Sequence, residues 1–238
     1  MTPPTGGGSF EKHLIPTGTY PARCVWLLNI GTQEIVWQGT PKKQIKLLIG
    51  YELPTELLPS DHPRKGEPSF ISERFTFSLN DKGNLRAHIN NWRGKALTDD
   101  ECANFDISKM LGAPGVITVT HVDKDGKTYC NIGSIAPEAS MRKLVPDFKV
   151  PAQVNESLYF NVQWLATAEG AQYAMTVFGN IPKYYQELIQ KSDEWQAYTK
   201  QSFYQAPAVA PDSASATPEA PAQAEPQVQP VDDIPLPF

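Results

Sequence analysis

The side chains that could catalyse a reaction are scattered along this sequence, and none stands in a familiar catalytic spacing. There is no G-x-x-x-x-G-K-[ST] phosphate loop, no G-x-S-x-G nucleophile and no H-E-x-x-H zinc motif. Asp123–Gly126 resembles the start of a calcium loop, but the later ligands are missing, so we interpret it as a hairpin turn. The acids Asp99–Glu101 could hold Mg²⁺, yet acids at a helix start also complement the helix dipole. We therefore predict no enzymatic activity, no metal site and no cofactor.

Basic and aromatic residues point to a different chemistry, the binding of a polyanion. Lysine and arginine neutralise phosphates and aromatic rings stack on bases, a combination that binds single strands with little sequence preference. Two predicted strands alternate apolar and polar residues. If their apolar faces point inward, Gln44, Lys46 and Arg74 share the outer face. The candidate DNA-binding residues are Trp37, Lys42, Lys43, Gln44, Lys46, Arg64, Lys65, Arg74, Lys124, Lys127 and Tyr129, with Trp26 as a further aromatic. The alternative is that the lysines are solvated and the rings belong to the core.

The segment Asp232–Phe238 places two carboxylates before an apolar stretch stiffened by proline. It follows a long stretch without any Lys or Arg. We predict that this segment, called the tip below, docks on other proteins. The candidate partner-binding residues are Asp232, Asp233, Ile234, Pro235 and Phe238. The alternative is a disordered end whose composition is accidental.

Charge is divided unevenly along the 238 residues. The formal net charge of -5 is carried by the five acids of residues 206–238, so the rest of the chain is neutral. An acidic pI near 5.4 therefore does not exclude a nucleic-acid-binding body, because a neutral body can carry a basic stripe. Cys24, Cys102 and Cys130 are too far apart for a metal clip and are expected to be reduced thiols.

The sequence contains no hydrophobic segment long enough to predict a membrane span. No stretch approaches the ~20 apolar residues of a membrane helix. Residues 1–9 are rich in proline and glycine without an apolar run, which predicts no signal peptide. We expect a cytoplasmic protein.

The local patterns predict a mainly β fold with helices. Strands are expected at Thr19–Ile30, Lys42–Leu53, Ser69–Leu79, Gly115–Val122 and Lys127–Ile135, and Thr32–Pro41 is expected to be a turn region. Between the third and fourth strands lie a predicted helix at Asn84–Trp92, a capping box at Thr98–Glu101 and a helical turn at Asp106–Leu111. Three strands, a helical connection and a two-stranded hairpin are typical of a five-stranded oligonucleotide/oligosaccharide-binding (OB) barrel. A β-rich meander is the competing prediction.

The C-terminal part predicts less regular structure. Leu158–Leu165 and Ala174–Phe178 could be extra strands or an irregular wrap, and Lys183–Thr199 is predicted to be a helix that packs back on the barrel. The predicted organisation is a flexible arm at residues 1–12, an OB-like domain with its C-terminal helix at 13–204, a disordered Pro/Ala/Gln-rich linker at 205–231 and the tip at 232–238.

Taken together, body and tip resemble known DNA-binding families. Asp232–Pro235 and Phe238 resemble the end of bacterial single-stranded DNA-binding proteins, although this tip has fewer acids and an inserted Leu236-Pro237. The body resembles a family of proteins from the replication or recombination region of tailed phages. The residues that carry this likeness are Gly18–Tyr20, Trp92–Thr98, Phe105–Ile107, Leu111–Gly112, Ile181–Pro182 and Ser192–Trp195. The resemblance implies a phage single-stranded DNA-binding protein in the host cytoplasm.

Three functions follow as hypotheses from the sequence. The first is a non-enzymatic, sequence-tolerant single-stranded DNA-binding protein whose tip recruits replication or recombination proteins. The second is a protein–protein adaptor, such as a helicase loader or annealing accessory. The third, which we favour least, is a metal-dependent nuclease. The sequence does not decide whether the chain forms a homo-oligomer.

Overall fold

The computed structural model describes residues 13–207, which fold into a mainly β structure with helices. The strands are β1 (Gly18–Trp37), β2 (Thr40–Leu57), β3 (Pro68–Thr76), β4 (Pro114–Lys124), β5 (Lys127–Ala136) and β6 (Leu158–Asn161). The α-helices are α1 (Asn84–Arg93), α2 (Asp99–Ala103), α3 (Glu138–Met141), α4 (Ala168–Phe178), α5 (Lys183–Gln190) and α6 (Asp193–Tyr198), with 3-10 helices at Ile107–Met110 and Val162–Ala166. The predicted arm at 1–12, most of the predicted linker and the tip lie outside the described residues.

The strands form one mixed sheet in the order β3-β2-β1-β4-β5. These five pair antiparallel, and β6 pairs parallel with β1 at Trp26–Asn29. β3 and β5 touch each other, but within residues 13–207 no ladder of hydrogen bonds joins them. Closure into the predicted barrel is therefore not confirmed.

The first hairpin is longer than its sequence pattern suggested. The predicted turn region Thr32–Pro41 is wrong, because β1 continues through it to Trp37 and β2 begins at Thr40. Only Gln38 and Gly39 turn the chain, with φ of 48° and 77°. Two positive φ angles match the right-handed twist of the flanking strands and permit this two-residue turn.

One face of the sheet carries a core whose alternation was predicted correctly. Leu47, Ile49 and Tyr51 of β2 are at most 1% exposed and pack with α1 in a common cluster. Ile45, which the same alternation assigns to this face, remains 38% exposed near the strand end. Period-two alternation thus identified the inner face of β2.

The opposite face of the sheet carries a second core that the alternation did not predict. Leu28, Ile30 and Leu48 pack there against helices α4, α5 and α6, with Phe160 of β6 also in the cluster. This explains why apolar Leu48 interrupts the polar row of β2. Over β1 and β2 the sheet is consequently a middle layer with apolar contacts on both faces.

The C-terminal helices differ from their predicted extents. Ala174–Phe178 belongs to helix α4 and is not a strand. The predicted single helix Lys183–Thr199 is two helices, α5 and α6. The break lies at the buried residue Ser192, whose Oγ accepts a hydrogen bond from the Trp195 amide at 3.2 Å. Serine at this position caps a new helix because its side chain satisfies an otherwise unpaired amide.

The helical connection between β3 and β4 agrees with the predictions. Helix α1 has the expected bounds within one residue, and both hydrogen bonds of the capping box between Thr98 and Glu101 are present. The predicted turn at Asp106–Leu111 contains a 3-10 helix, and the β4–β5 turn has positive φ at Asp125 and Gly126.

A cross-strand pair holds the irregular segment before β6. Arg23 of β1 donates to the carbonyl oxygens of Gly112, Val150 and Pro151. Its neighbour across the ladder, the fully buried Glu52, accepts hydrogen bonds from the amides of Val154 and Asn155 and from the Asn155 side chain. These contacts fix the segment beside the sheet.

No helix in residues 13–207 is both long and apolar enough to cross a bilayer.

Candidate nucleic-acid interface

Two aromatic rings lie on the outer face of the sheet, the face of Leu48. The rings of Trp26 in β1 and Phe70 in β3 have centroids 4.3 Å apart, and both side chains are half-buried. Between their strands, Gly50 of β2 leaves room for them. A Cβ at Gly50 would lie 2.4 Å from Cζ of Phe70 and 2.9 Å from Cβ of Trp26. Glycine therefore allows both rings to lie directly on the sheet backbone, an arrangement we call the aromatic platform (Trp26, Gly50 and Phe70).

Helix α5 forms one border of the platform. Tyr185 packs edge-on against Trp26 with centroids 6.2 Å apart, and its hydroxyl lies 3.2 Å from Oγ of Ser72. Burial raises the pKa of Tyr185, so the hydroxyl stays protonated. The preceding residue, Tyr184, is 37% exposed, and its hydroxyl accepts a hydrogen bond from Nη2 of Arg74 at 3.3 Å. The guanidinium of Arg74 is thus positioned next to an accessible ring.

Beyond Arg74, the same face continues into a polar cluster. Nζ of Lys46 donates to Oε1 of Gln44 at 2.9 Å and to Oγ1 of Thr76 at 3.3 Å. The Thr76 hydroxyl also donates to Oε1 of Gln44, at 2.8 Å. These hydrogen bonds orient the Lys46 ammonium on the outer face of the sheet.

Three further predicted residues belong to the β1–β2 hairpin, which projects from this end of the sheet. Trp37 is 39% exposed beside the turn, and exposed Lys42 pairs across the ladder with Ile35. Lys43 forms an ion pair with Asp193 of α6 at 2.8 Å, and this hydrogen bond raises the pKa of Lys43. The charge of Lys43 is therefore partly engaged within the protein.

The remaining predicted residues lie at the other end of the strands. Arg64 and Lys65 are in the β2–β3 connection, where Arg64 forms an ion pair with Glu67. Lys124 and Lys127 face each other across the β4–β5 turn, beyond the first residue of β1. Tyr129 follows them, half-buried, in β5.

The strand register thus divides the predicted DNA-binding residues into three groups. Gln44, Lys46 and Arg74 lie beside the platform. One group continues along the first hairpin with Trp37, Lys42 and Lys43, and another lies at the opposite strand ends with Arg64, Lys65, Lys124, Lys127 and Tyr129. The platform lies between the two end groups.

Sequence reasoning missed Phe70, Gly50 and Tyr184. The first two carried a detectable signal. Phe70 has the same even parity as Arg74, so it could have been assigned to the outer face. The alternation of β2 does place Gly50 on that face with Lys46, but it gave Gly50 no role in the site. Tyr184 gave no comparable signal, because its position depends on how α5 packs against the sheet.

A cluster of titratable groups lies on the inner face instead. The Tyr51 hydroxyl is 2.6 Å from Nε2 of His88, whose Nδ1 is 3.7 Å from Oε2 of Glu73. Burial lowers the pKa of His88 to about 4 and raises the pKa of Glu73 to about 7. Tyr51 and His88 are buried among the rings of Phe75 and Trp92, so the cluster is part of the inner core.

Within residues 13–207, no group of three or more His, Cys, Asp or Glu side chains is placed to hold a metal ion. The partner-binding residues of the tip lie outside the described part of the chain. No protein-family model matches this chain, and no curated protein matches it in sequence.

Proposed function

We propose that this chain is a non-enzymatic single-stranded DNA-binding protein that acts in phage replication or recombination, in the cytoplasm of the host cell. The observation that carries the proposal is the aromatic platform on the outer face of the sheet, bordered by Lys46 and Arg74. Aromatic rings that keep part of their surface accessible stack on bases of any identity, and adjacent cations neutralise the backbone phosphates. The combination favours binding with little sequence preference.

The strand order supports an OB-type body for this function. An order of β3-β2-β1-β4-β5, in which the two end strands touch, has the sequence of neighbours of an OB barrel opened between β3 and β5. OB folds bind oligonucleotides on the face of strands two and three and on the loops beside it. Here Phe70 and Arg74 lie on that face, and the β1–β2 and β4–β5 turns lie at opposite ends of β1.

The tip has a separate role in the proposal. Residues 232–238 would recruit replication or recombination proteins, with the apolar side chains in a partner's pocket and the two aspartates against its basic residues. Self-association of the body is compatible with this role.

Titration of the full chain with oligo-dT at low salt tests DNA binding directly. We expect quenching of tryptophan fluorescence, with an affinity that falls steeply as salt is added. Phe70→Ala should weaken binding by about ten- to a hundredfold, because stacking contributes ~1–3 kcal/mol per base. Lys46→Glu should weaken binding to all sequences alike.

A charge-matched control is Lys200→Glu, since Lys200 is exposed, comes after helix α6 and belongs to none of the strands of the platform. Absence of any quenching at low salt would reject DNA binding and favour the protein–protein adaptor. Equal effects of Lys46→Glu and Lys200→Glu would reject the platform as the interface. Cleavage of labelled DNA in the presence of Mg²⁺ or Mn²⁺ would favour the nuclease.

A further inference from the structure

The side-chain amide of Gln44, on the outer face of β2, has a fixed orientation. Its Oε1 accepts a hydrogen bond from Nζ of Lys46 at 2.9 Å and another from the Thr76 hydroxyl at 2.8 Å. An ammonium group can only donate hydrogen bonds, so the amide atom beside Lys46 must be the oxygen. The contact with Lys46 therefore decides which end of the amide is the acceptor and which is the donor.

The nitrogen of the same amide is accessible to solvent. A carbonyl oxygen has two lone pairs, and both lone pairs of Oε1 already accept a hydrogen bond. Within residues 13–207, Nε2 of Gln44 donates no hydrogen bond and is not enclosed by other atoms. The side chain is half-buried, so its neighbours hold it in place. Gln44 therefore offers hydrogen-bond donors, and no acceptor, to a bound molecule.

The glutamine directly across the ladder is used differently. Gln33 of β1 pairs with Gln44 of β2 in the strand register. Its Nε2 donates to the carbonyl oxygen of Ile30 at 2.8 Å and to that of Leu188 in α5 at 3.0 Å. The amide nitrogen of Gln33 is thus engaged within the protein, whereas that of Gln44 remains available to a ligand.

The bases of DNA differ in what they offer to such a donor. Thymine, guanine and cytosine each carry a carbonyl oxygen, which accepts hydrogen bonds. Adenine has only ring nitrogens as acceptors, and its amino group is itself a donor. Two donors that face each other form no hydrogen bond, and their loss of water costs free energy. A side chain restricted to donation therefore favours a base with a carbonyl oxygen over adenine.

We propose that Gln44 is a specificity-determining residue of the DNA-binding face, where it donates to a base carbonyl and so disfavours adenine. This inference rests on the proposed function and adds a modest base preference that stacking on the platform does not supply. At ~3.3 Å per residue, Gln44 lies ~20 Å from Gly50 along β2. The base that Gln44 contacts is therefore not the base stacked on the platform but one further along the same strand.

Two DNA strands that differ in one base test this preference. The first is a short oligo-dA, and the second is the same strand with one central deoxyinosine, in which a carbonyl oxygen replaces the amino group of adenine. Because the protein can shift along the strand, the single inosine can reach Gln44. Fluorescence titration of the full chain at one salt concentration should give about two- to tenfold tighter binding to the inosine strand, the effect of one neutral hydrogen bond.

Substitutions of Gln44 then show whether this residue causes the difference. Gln44→Met removes the amide but keeps the length of the side chain, so the affinity ratio of the two strands should fall to about one. Gln44→Glu puts an acceptor oxygen where the N–H groups were, so the ratio should fall below one. Gln33→Met, on the same rung of the ladder, is the matched control and should keep the native ratio. Each ratio is measured on one preparation, so a general loss of affinity or of folded protein affects both strands alike.

Three results would overturn the inference, and they separate it from the proposed function. Equal binding of the two strands by the native chain would show that Gln44 contacts phosphate or no part of the DNA, while DNA binding itself would stand. A ratio that persists in Gln44→Met, or that disappears in Gln33→Met, would assign the preference to another group. Failure to bind these strands and oligo-dT alike would reject the proposed function and this inference with it.

Discussion

At the residue scale, Gly50 determines whether the outer face of the sheet can carry stacked rings. Any side chain at this position would occupy the space taken by Phe70 and Trp26. The parity of β2 places residue 50 on the outer face, but the sequence alone does not explain why the residue must be glycine. The reason is the close approach of two rings from neighbouring strands.

Gly50→Ala should displace the Phe70 ring, because the new Cβ would lie 2.4 Å from its Cζ. We expect the free energy of unfolding to fall by ~1–3 kcal/mol, as in other overpacked sites, and binding of oligo-dT to weaken. Urea unfolding and fluorescence titration measure the two effects. In the control Gly179→Ala, the added methyl group meets nothing within 4 Å, and φ is -61°. Equal stability of the two variants would contradict the role of Gly50.

The Tyr51–His88–Glu73 cluster should make stability depend on pH in two opposite ways. Glu73 has a folded pKa raised from 4.5 to about 7, so the unfolding free energy falls as pH rises through this interval. His88 has a folded pKa lowered from 6.5 to about 4, so the unfolding free energy falls as pH drops through that interval. A neutral His88 that accepts from the Tyr51 hydroxyl at Nε2 carries its proton on Nδ1.

Glu73→Gln removes the cost of ionising the carboxylate and should stabilise the protein at pH 8 relative to pH 5. Because 36% of the Glu73 side chain is exposed, solvent screening reduces the gain to the order of 1 kcal/mol. Urea unfolding from pH 5 to 8 measures the difference between the variant and the native chain. If the difference in unfolding free energy between the two chains does not increase with pH, ionisation of Glu73 does not destabilise the folded protein.

At the element scale, capping residues decide where the C-terminal helices break. Apolar spacing predicted one helix over Lys183–Thr199, since Tyr185, Ile189 and Trp195 fit a common stripe. The stripe was correct, because all three residues are buried in the second core. The break at Ser192 allows α6 to change direction and place Asp193 next to Lys43 of the first hairpin.

Ser192→Ala should lower the free energy of unfolding by about 1–2 kcal/mol, since a buried helix cap is lost. The Ser192 hydroxyl also donates to the Ile189 carbonyl at 2.6 Å, so the substitution removes a bond at each helix. Hydrogen exchange should accelerate at the Trp195 amide. Thr167→Ala, at the exposed cap of α4, is the matched comparison and should cost less. A larger loss for Thr167→Ala would contradict this assignment.

At the scale of the whole molecule, charge separates the described body from the chain that follows it. The basic and acidic residues of 13–207 balance in number, and residues 208–238 contribute the whole net charge of -5. A negative segment attached to a DNA-binding body competes with phosphate for its cations, and the competition is screened by salt.

Deleting residues 208–238 should therefore raise the affinity for oligo-dT severalfold at low salt and change little near 1 M salt, where the Debye length is ~3 Å. Fluorescence titration at several salt concentrations measures this. A chain in which the five tail acids are replaced by their amides should behave like the deletion. Weaker DNA binding after deletion would show that the tail contributes to the interface.

The sequence by itself determined the inner face of the sheet, the helical connection with its capping box and the tight β4–β5 turn. These features depend on alternation, spacing and turn residues within about ten positions of one another. Only the tertiary structure decided the outer face. Whether that face is covered by helices or carries stacked rings depends on contacts such as Ser72 with Tyr185, which are 113 residues apart. For the same reason, local patterns could identify Lys46 and Arg74 as candidates but could not show that the rings of Trp26 and Phe70 meet over Gly50, or place Tyr184 beside them.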